Sequence, residues 1–126
     1  MKLFYKYYLP IVIWLAIIFA VPTATHASGI TGLPYHLDKA AHFFLYGVLG
    51  FLVVRAIYFK DKIPDMKQAI LVAVGIAVFC AGLDELHQIY MPGRFSSFFD
   101  FVFDILGITA SQIVFWYVIQ RKSVQG

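Results

Sequence analysis

Charged residues are scarce in this sequence: they make up 13% of its 126 residues, whereas 61% are hydrophobic. A soluble domain carries about 25% charged residues, so the composition argues against a water-soluble fold. The sequence also has a single cysteine, Cys80, which lies within an apolar run. An intrachain disulfide is therefore excluded, and an apolar packing role for Cys80 is favoured over a reactive thiol. Repeats and low-complexity tracts are missing too, and the length suits one small domain, residues 1–126.

The formal net charge of +3 and the pI near 9.0 would at first suit a nucleic-acid partner. The basic residues, however, stand at the ends of apolar segments rather than in a patch between aromatic residues. We therefore expect no nucleic-acid binding, and we interpret the positive charge as a determinant of membrane topology.

Four apolar segments predict an all-α fold, an integral membrane four-helix bundle with helices at about 5–21, 37–59, 69–90 and 98–119. Pro22 is expected to end the first helix, and residues 23–36 are expected to form a loop. An alternative interpretation of the first segment is a signal peptide cleaved after Thr25-His26-Ala27. We favour a retained helix, and both interpretations send the next segment across the membrane.

Two further features concern packing within the predicted helices. Ala73, Ala77 and Ala81 recur at four-residue spacing in the third helix, and such a stripe lets a neighbouring helix approach closely. Arg55 lies near the end of the second helix, where its long side chain is expected to reach the headgroups.

The distribution of charge predicts the orientation. One side of the bundle carries eight Lys or Arg residues and two acids, a net +6, and the other carries two Lys or Arg residues and five acids, a net −3. The positive-inside rule places the first side, and with it both termini, in the cytoplasm. All four histidines fall on the outer side together with the acids.

Near the outer side, three helices each present polar or small residues on one face. These residues are Asp38, His42 and Tyr46 in the second helix, Asp84 and Gln88 in the third, and Asp100, Asp104, Gly107 and Ser111 in the fourth. Because ionisable groups are costly at membrane depth, we expect the three faces to converge on one polar site. The alternative is a structural role, in which these groups cap helices and hold the bundle together.

These residues also resemble a known family. Asp38-Lys39-Ala40-Ala41-His42, continuing to Tyr46, resembles the first motif of the VanZ-like family. Asp84-Glu85-Leu86-His87-Gln88 with Pro92-Gly93-Arg94, Asp100 and Gly107 resembles the second, and Trp14 also fits. The resemblance implies a small bacterial inner-membrane protein, in a family whose name-giving member is associated with teicoplanin resistance. Asp104 and Ser111 depart from the pattern, in which Asn and a second Gly are usual.

One functional hypothesis is binding of an anionic envelope lipid or a lipid-linked cell-wall precursor. Lys39 and Arg94 would contact phosphate, and Asp38, Tyr46 and Gln88 would complete the ligand site. The acidic surplus of this side opposes an anion unless some carboxylates are protonated or a metal is bound.

Two alternatives involve chemistry at the same place. In an enzyme acting on a lipid phosphate, His42 would be the general base or nucleophile, oriented by Asp84 or Glu85. A divalent cation, Mg or Mn, would be held by Asp84, Asp100, Asp104 and His42. The sequence has no compact metal motif such as His-Glu-x-x-His.

Overall fold

The computed structural model describes residues 1–27, 34–60, 65–92 and 97–125, and within these ranges it contains helices and no strand. The all-α prediction is therefore confirmed for the described part of the chain. The helices are α1 (Lys2–Tyr7), α2 (Leu9–Ala27), α3 (Tyr35–Phe59), α4 (Met66–Ile89) and α5 (Phe98–Gln125).

Three helices in the described ranges are long and apolar enough to cross a membrane. They are Tyr35–Phe59, Met66–Ile89 and Phe98–Val124, and they correspond to the second, third and fourth predicted helices. The apolar part of α2, Leu9–Val21, is shorter. The protein is thus a multi-pass membrane protein by the length and composition of these helices.

The prediction that Pro22 ends the first helix is wrong, because α2 continues to Ala27. A proline removes only one backbone donor, and membrane helices tolerate this loss. The helix is interrupted earlier, at Tyr8. Pro10 has no N–H to donate to the Lys6 carbonyl, and the guanidinium of Arg55 donates to that oxygen instead, at 3.3 Å.

Helix α3 lies at the centre of the bundle and packs against α2, α4 and α5. The predicted small-residue stripe of α4 is confirmed: Ala69, Ala73, Ala77 and Ala81 are completely buried. Alanine side chains add little width to a helix, so α4 lies close to its neighbours along this face.

Glycines bring α3 and α5 closer still. A Cβ atom on Gly107 would collide with the Phe43 carbonyl oxygen and would lie 3.1 Å from the Gly47 nitrogen. A Cβ atom on Gly47 would lie 3.3 Å from the Gly107 carbonyl oxygen. The two backbones therefore touch at this level, which lets the polar side chains one and two turns away reach across the contact.

Helix α2 is attached to the same core. The Trp14 indole N–H donates to the Leu45 carbonyl oxygen of α3 at 2.8 Å, and Ile18 is buried among the core residues. The first predicted membrane segment thus contributes side chains to the packed interior.

Candidate functional site

Buried polar residues gather where α3 begins, α4 ends and α5 begins, which we call the polar end. Residues from all three helices contribute: Lys39, His42, Asp84, Gln88, Asp100 and Asp104. Because α4 runs antiparallel to α3 and α5, its last turns lie beside their first turns. The polar faces predicted from the sequence therefore meet at one end of the bundle.

Lys39 connects α3 to α5. Its ammonium group forms ion pairs with Asp38, at 3.2 Å, and with Asp100, and it also lies 4.8 Å from the centroid of the Tyr35 ring. Lys39 is 5% exposed, so most of its charge is compensated by the two carboxylates rather than by water.

Asp100 also begins α5. Its second carboxylate oxygen accepts from the Ser97 N–H at 3.0 Å, and the Ser97 hydroxyl accepts from the Phe99 N–H at 3.2 Å. Together these two hydrogen bonds cap the helix, because they satisfy backbone donors that a helix start leaves free. The Asp100 carboxylate is consequently held in place for Lys39.

His42 forms a second link between α3 and α5. Its Nδ1 atom lies 2.9 Å from the Asp104 carboxylate, and Asp104 is completely buried. The sequence hypothesis assigned the orienting role to Asp84 or Glu85, whereas this hydrogen bond goes to Asp104. The close contact of α3 with α5 explains the difference, since it brings α5 within reach of the imidazole.

Helix α4 joins the same cluster through Glu85. His42, Glu85 and Asp104 each offer one ligand atom within 4.8 Å of the others. Asp38, His42 and Asp100 form a second group with the same spacing. His42 belongs to both groups, so it stands at the centre of the candidate site.

Asp84, which the sequence hypothesis placed with the metal ligands, lies in neither three-residue group. It accepts a hydrogen bond from the Gln88 amide at 2.9 Å. Tyr46, also buried, faces Asp84. The predicted site residues thus form three groups. In the first, Lys39 pairs with two acids; in the second, acids surround His42; the third consists of Asp84, Gln88 and Tyr46. Arg94, predicted to contact phosphate, lies outside the described residues.

Two surface cavities run between α3 and α5, and together we call them the α3–α5 groove. The first, about 300 Å³, is lined by residues including His36, Lys39, Phe43, Phe44 and Phe103. The second, about 280 Å³, shares Phe43 and Phe44 and continues past Gly47, Gly107 and Ala110. The sequence reasoning missed Phe103 and Ala110, because nothing in an apolar pattern separates a groove wall from a lipid-facing residue.

A family model described as VanZ/LLP1 matches residues 4–120 of this chain. Comparisons with curated proteins and with solved structures gave no significant match. The matched range contains α3 and α4 entire and the polar start of α5, and thus every residue of the polar end. The chain therefore belongs to the VanZ-like family.

Proposed function

We propose that this protein lies in the bacterial inner membrane and binds an anionic envelope lipid, or a lipid-linked cell-wall precursor, in the α3–α5 groove. The observation that carries the proposal is that the lining of the groove changes from polar to apolar along its length. One cavity reaches Lys39 and His36 at the polar end, and the other is walled by apolar residues and glycine. An amphiphilic ligand needs this combination, with the headgroup at the rim and a chain below it.

The glycines give the groove its depth. Gly47 and Gly107 place bare backbone at the floor of the second cavity. The aromatic rings of Phe43 and Phe44 stand between the two cavities and contact both. A hydrocarbon chain would lie against Phe44 and Phe51 and would replace membrane lipid on this face without a hydrophobic penalty.

Lys39 is the headgroup contact at the polar rim. An ammonium carries three donors, and Asp38 and Asp100 accept from it, so a donor remains for a phosphate oxygen. The carboxylates of Asp38 and Asp100 would repel a headgroup bound at Lys39, so they limit the negative charge that the headgroup can carry. A phosphodiester, with one negative charge, suits the position better than a dianionic phosphomonoester.

The proposed topology has four membrane helices, with α2 as the first and both termini in the cytoplasm. The basic residues at the far ends of α3 and α5 support it through the positive-inside rule. Contacts of α2 with the core, through Trp14 and Ile18, support its retention in the bundle. The polar end then faces the outer leaflet, where completed envelope lipids and precursors are found.

The experiment measures lipid binding by a variant in which a large side chain fills the groove. Ala110→Trp places an indole in the second cavity, and Leu106→Trp adds the same side chain to an exposed position outside the lining residues. In native mass spectrometry and in nanodiscs containing phosphatidylglycerol, Ala110→Trp should weaken lipid binding about tenfold, or ~1.4 kcal/mol. Leu106→Trp should bind as the unaltered protein does. Equal binding by both variants would refute the groove as the lipid site.

The link to glycopeptide resistance is part of the same proposal. A protein that holds lipid-linked precursors changes their access to a glycopeptide. Expression of the unaltered chain should raise the teicoplanin concentration needed to inhibit growth, and Ala110→Trp should abolish the increase. An increase that survives Ala110→Trp would separate resistance from the groove.

A second candidate function, hydrolysis or transfer at a lipid phosphate, is favoured by the His42–Asp104 hydrogen bond. When Nδ1–H donates to a carboxylate, Nε2 is left to accept a proton from an attacking water or hydroxyl. His42→Gln should then retain lipid binding but lose turnover of a lipid phosphate. Unchanged turnover would return His42 to a structural role.

A further inference from the structure

Two positive side chains converge on one aromatic ring at the end of the bundle opposite the polar end. The Lys6 ammonium nitrogen lies 5.2 Å from the centroid of the Tyr7 ring, and the central carbon of the Arg55 guanidinium lies 5.1 Å from it. Tyr7 is 9% exposed, so its ring is held in the packed part of the molecule. The ring attracts each cation, but the two cations repel one another, and an anion that contacts both would relieve this repulsion.

No acid of the described ranges compensates these two charges. Every ion pair that the structure records within those ranges lies at the polar end. Asp65, at the start of α4, caps that helix by accepting from the Lys67 N–H at 3.0 Å. Lys6 is exposed, but Arg55 is only partly so, and a charge withdrawn from water without a counter-ion is costly. The pair Lys6 and Arg55 therefore favours a bound anion.

The Arg55 side chain is held in an orientation that suits a phosphate. One of its N–H groups donates to the Lys6 carbonyl oxygen at 3.3 Å, and the Tyr7 ring contacts the same guanidinium. A guanidinium presents several N–H donors in a rigid fork, so others remain for two oxygens of one phosphate. Arg55 lies about one turn before the end of α3, where a long side chain reaches the lipid headgroups.

We propose that Lys6 and Arg55 bind the phosphodiester of an anionic phospholipid, of the phosphatidylglycerol type, from the leaflet at this end of the bundle. Arg55 would contact two phosphate oxygens, and Lys6 would add a second positive charge from α1. Basic pockets between membrane helices bind the headgroups of anionic lipids in this way. The site shares no residue with the α3–α5 groove, so the inference goes beyond the proposed function and does not depend on it.

The test is a titration with phosphatidylglycerol in detergent, followed by native mass spectrometry. Every protein in the titration carries Ala110→Trp, so that lipid in the groove does not contribute. This protein should bind one phosphatidylglycerol more tightly than phosphatidylcholine, and inorganic phosphate in large excess should not displace it. Adding Lys6→Gln and Arg55→Gln together should weaken the binding at least about tenfold. Displacement by inorganic phosphate would show a site for free anions and would overturn the lipid as its ligand.

The matched control is the pair Arg121→Gln and Lys122→Gln on α5. It removes the same number of positive charges from the same end, both from exposed positions, and Arg121 also contacts a tyrosine ring, that of Tyr117, at 4.7 Å. This pair should change the affinity for phosphatidylglycerol by less than about twofold. Equal weakening by the two pairs would mean that general attraction between charges holds the lipid, and the proposal would fail.

The proposal also fails if phosphatidylglycerol binds no more tightly than phosphatidylcholine. Lys6→Gln alone alters an exposed residue and serves as the test if the variant with Arg55→Gln does not fold. It should weaken the binding of phosphatidylglycerol about threefold or more, and unchanged binding would contradict the site. Because the groove is filled in every protein compared, either failure would leave the groove proposal standing.

Discussion

The two ends of this bundle carry their charges in opposite ways. At the end opposite the polar end, which we call the basic end, positive side chains lie at or near the surface against tyrosine rings. Arg55 lies 5.1 Å from the ring centroid of Tyr7, and Lys60 lies 5.7 Å from that of Tyr8. These are contacts of the membrane interface, where a long side chain keeps its charge close to water.

At the polar end the charges are buried and compensated by one another. Lys39 and His42 each contact a carboxylate on α5, and Glu85 of α4 lies beside His42 and Asp104. Burying a charge costs several kcal/mol unless a partner offsets it. Interfacial charges are thus sufficient for topology, whereas the charges of the polar end are buried at a cost and held in a fixed arrangement. This cost makes the polar end the candidate for function.

The largest expected effect is a difference in stability between substitutions of two lysines, one at each end of the bundle. Lys39→Met leaves Asp38 and Asp100 without their cation, and removing one partner of a buried ion pair costs about 3 kcal/mol. Lys67→Met, at an exposed position of the basic end, should change the free energy of unfolding by less than about 0.5 kcal/mol. Titration with sodium dodecyl sulfate in mixed micelles measures both. Equal destabilisation by the two substitutions would remove the distinction between the ends.

A somewhat smaller effect is expected from the contact that lets the polar end form. Gly107→Ala directs a Cβ atom at the Phe43 carbonyl oxygen, and α3 and α5 must separate to admit it. We expect the free energy of unfolding to fall by about 2–3 kcal/mol, as for other overpacked interiors, and the His42–Asp104 distance to lengthen.

The matched control is Gly75→Ala on α4, where an added Cβ meets nothing within 4 Å. Alanine is the better helix former by about 1 kcal/mol, so this substitution should be neutral or stabilising in the same titration. Destabilisation by Gly75→Ala as large as that by Gly107→Ala would mean that helix propensity, not the close contact, decides the outcome.

Local pattern was sufficient to predict much of this arrangement. The four-residue spacing of Ala73, Ala77 and Ala81 identified the buried face of α4. The same spacing placed Asp38 with His42 and Asp84 with Gln88, because helical geometry alone sets which residues share a face. The cost of burying charge then required the three polar faces to meet.

Local pattern was not sufficient to decide which groups pair across helices. The partner of His42 is Asp104, and this choice depends on how closely α3 approaches α5, which is a property of Gly47 and Gly107 together. The continuation of α2 beyond Pro22 was missed for a related reason. A proline lowers the stability of a helix locally, but packing and the membrane determine whether the helix ends there.

The smallest expected effect tests the basic end itself. Arg55 donates to the Lys6 carbonyl, which Pro10 leaves without its usual donor, and it also contacts the Tyr7 ring. Arg121 lies 4.7 Å from the ring centroid of Tyr117, on the same helix. Arg55→Gln should therefore lower the free energy of unfolding by about 0.5–1 kcal/mol. The Arg121 contact lies within one helix, so Arg121→Gln should lower it by less than about 0.5 kcal/mol.

The readout is hydrogen exchange at the backbone amides of α1, measured by mass spectrometry. Arg55→Gln should speed exchange there and leave α4 and α5 unchanged, since the contact joins α1 to α3 alone. If Arg55→Gln instead destabilised the whole bundle as much as Lys39→Met, the basic end would depend on fixed pairing in the same way as the polar end. If both arginine variants exchanged like the unaltered protein, interfacial charges would contribute to topology without stabilising the fold, which would make the contrast between the two ends sharper still.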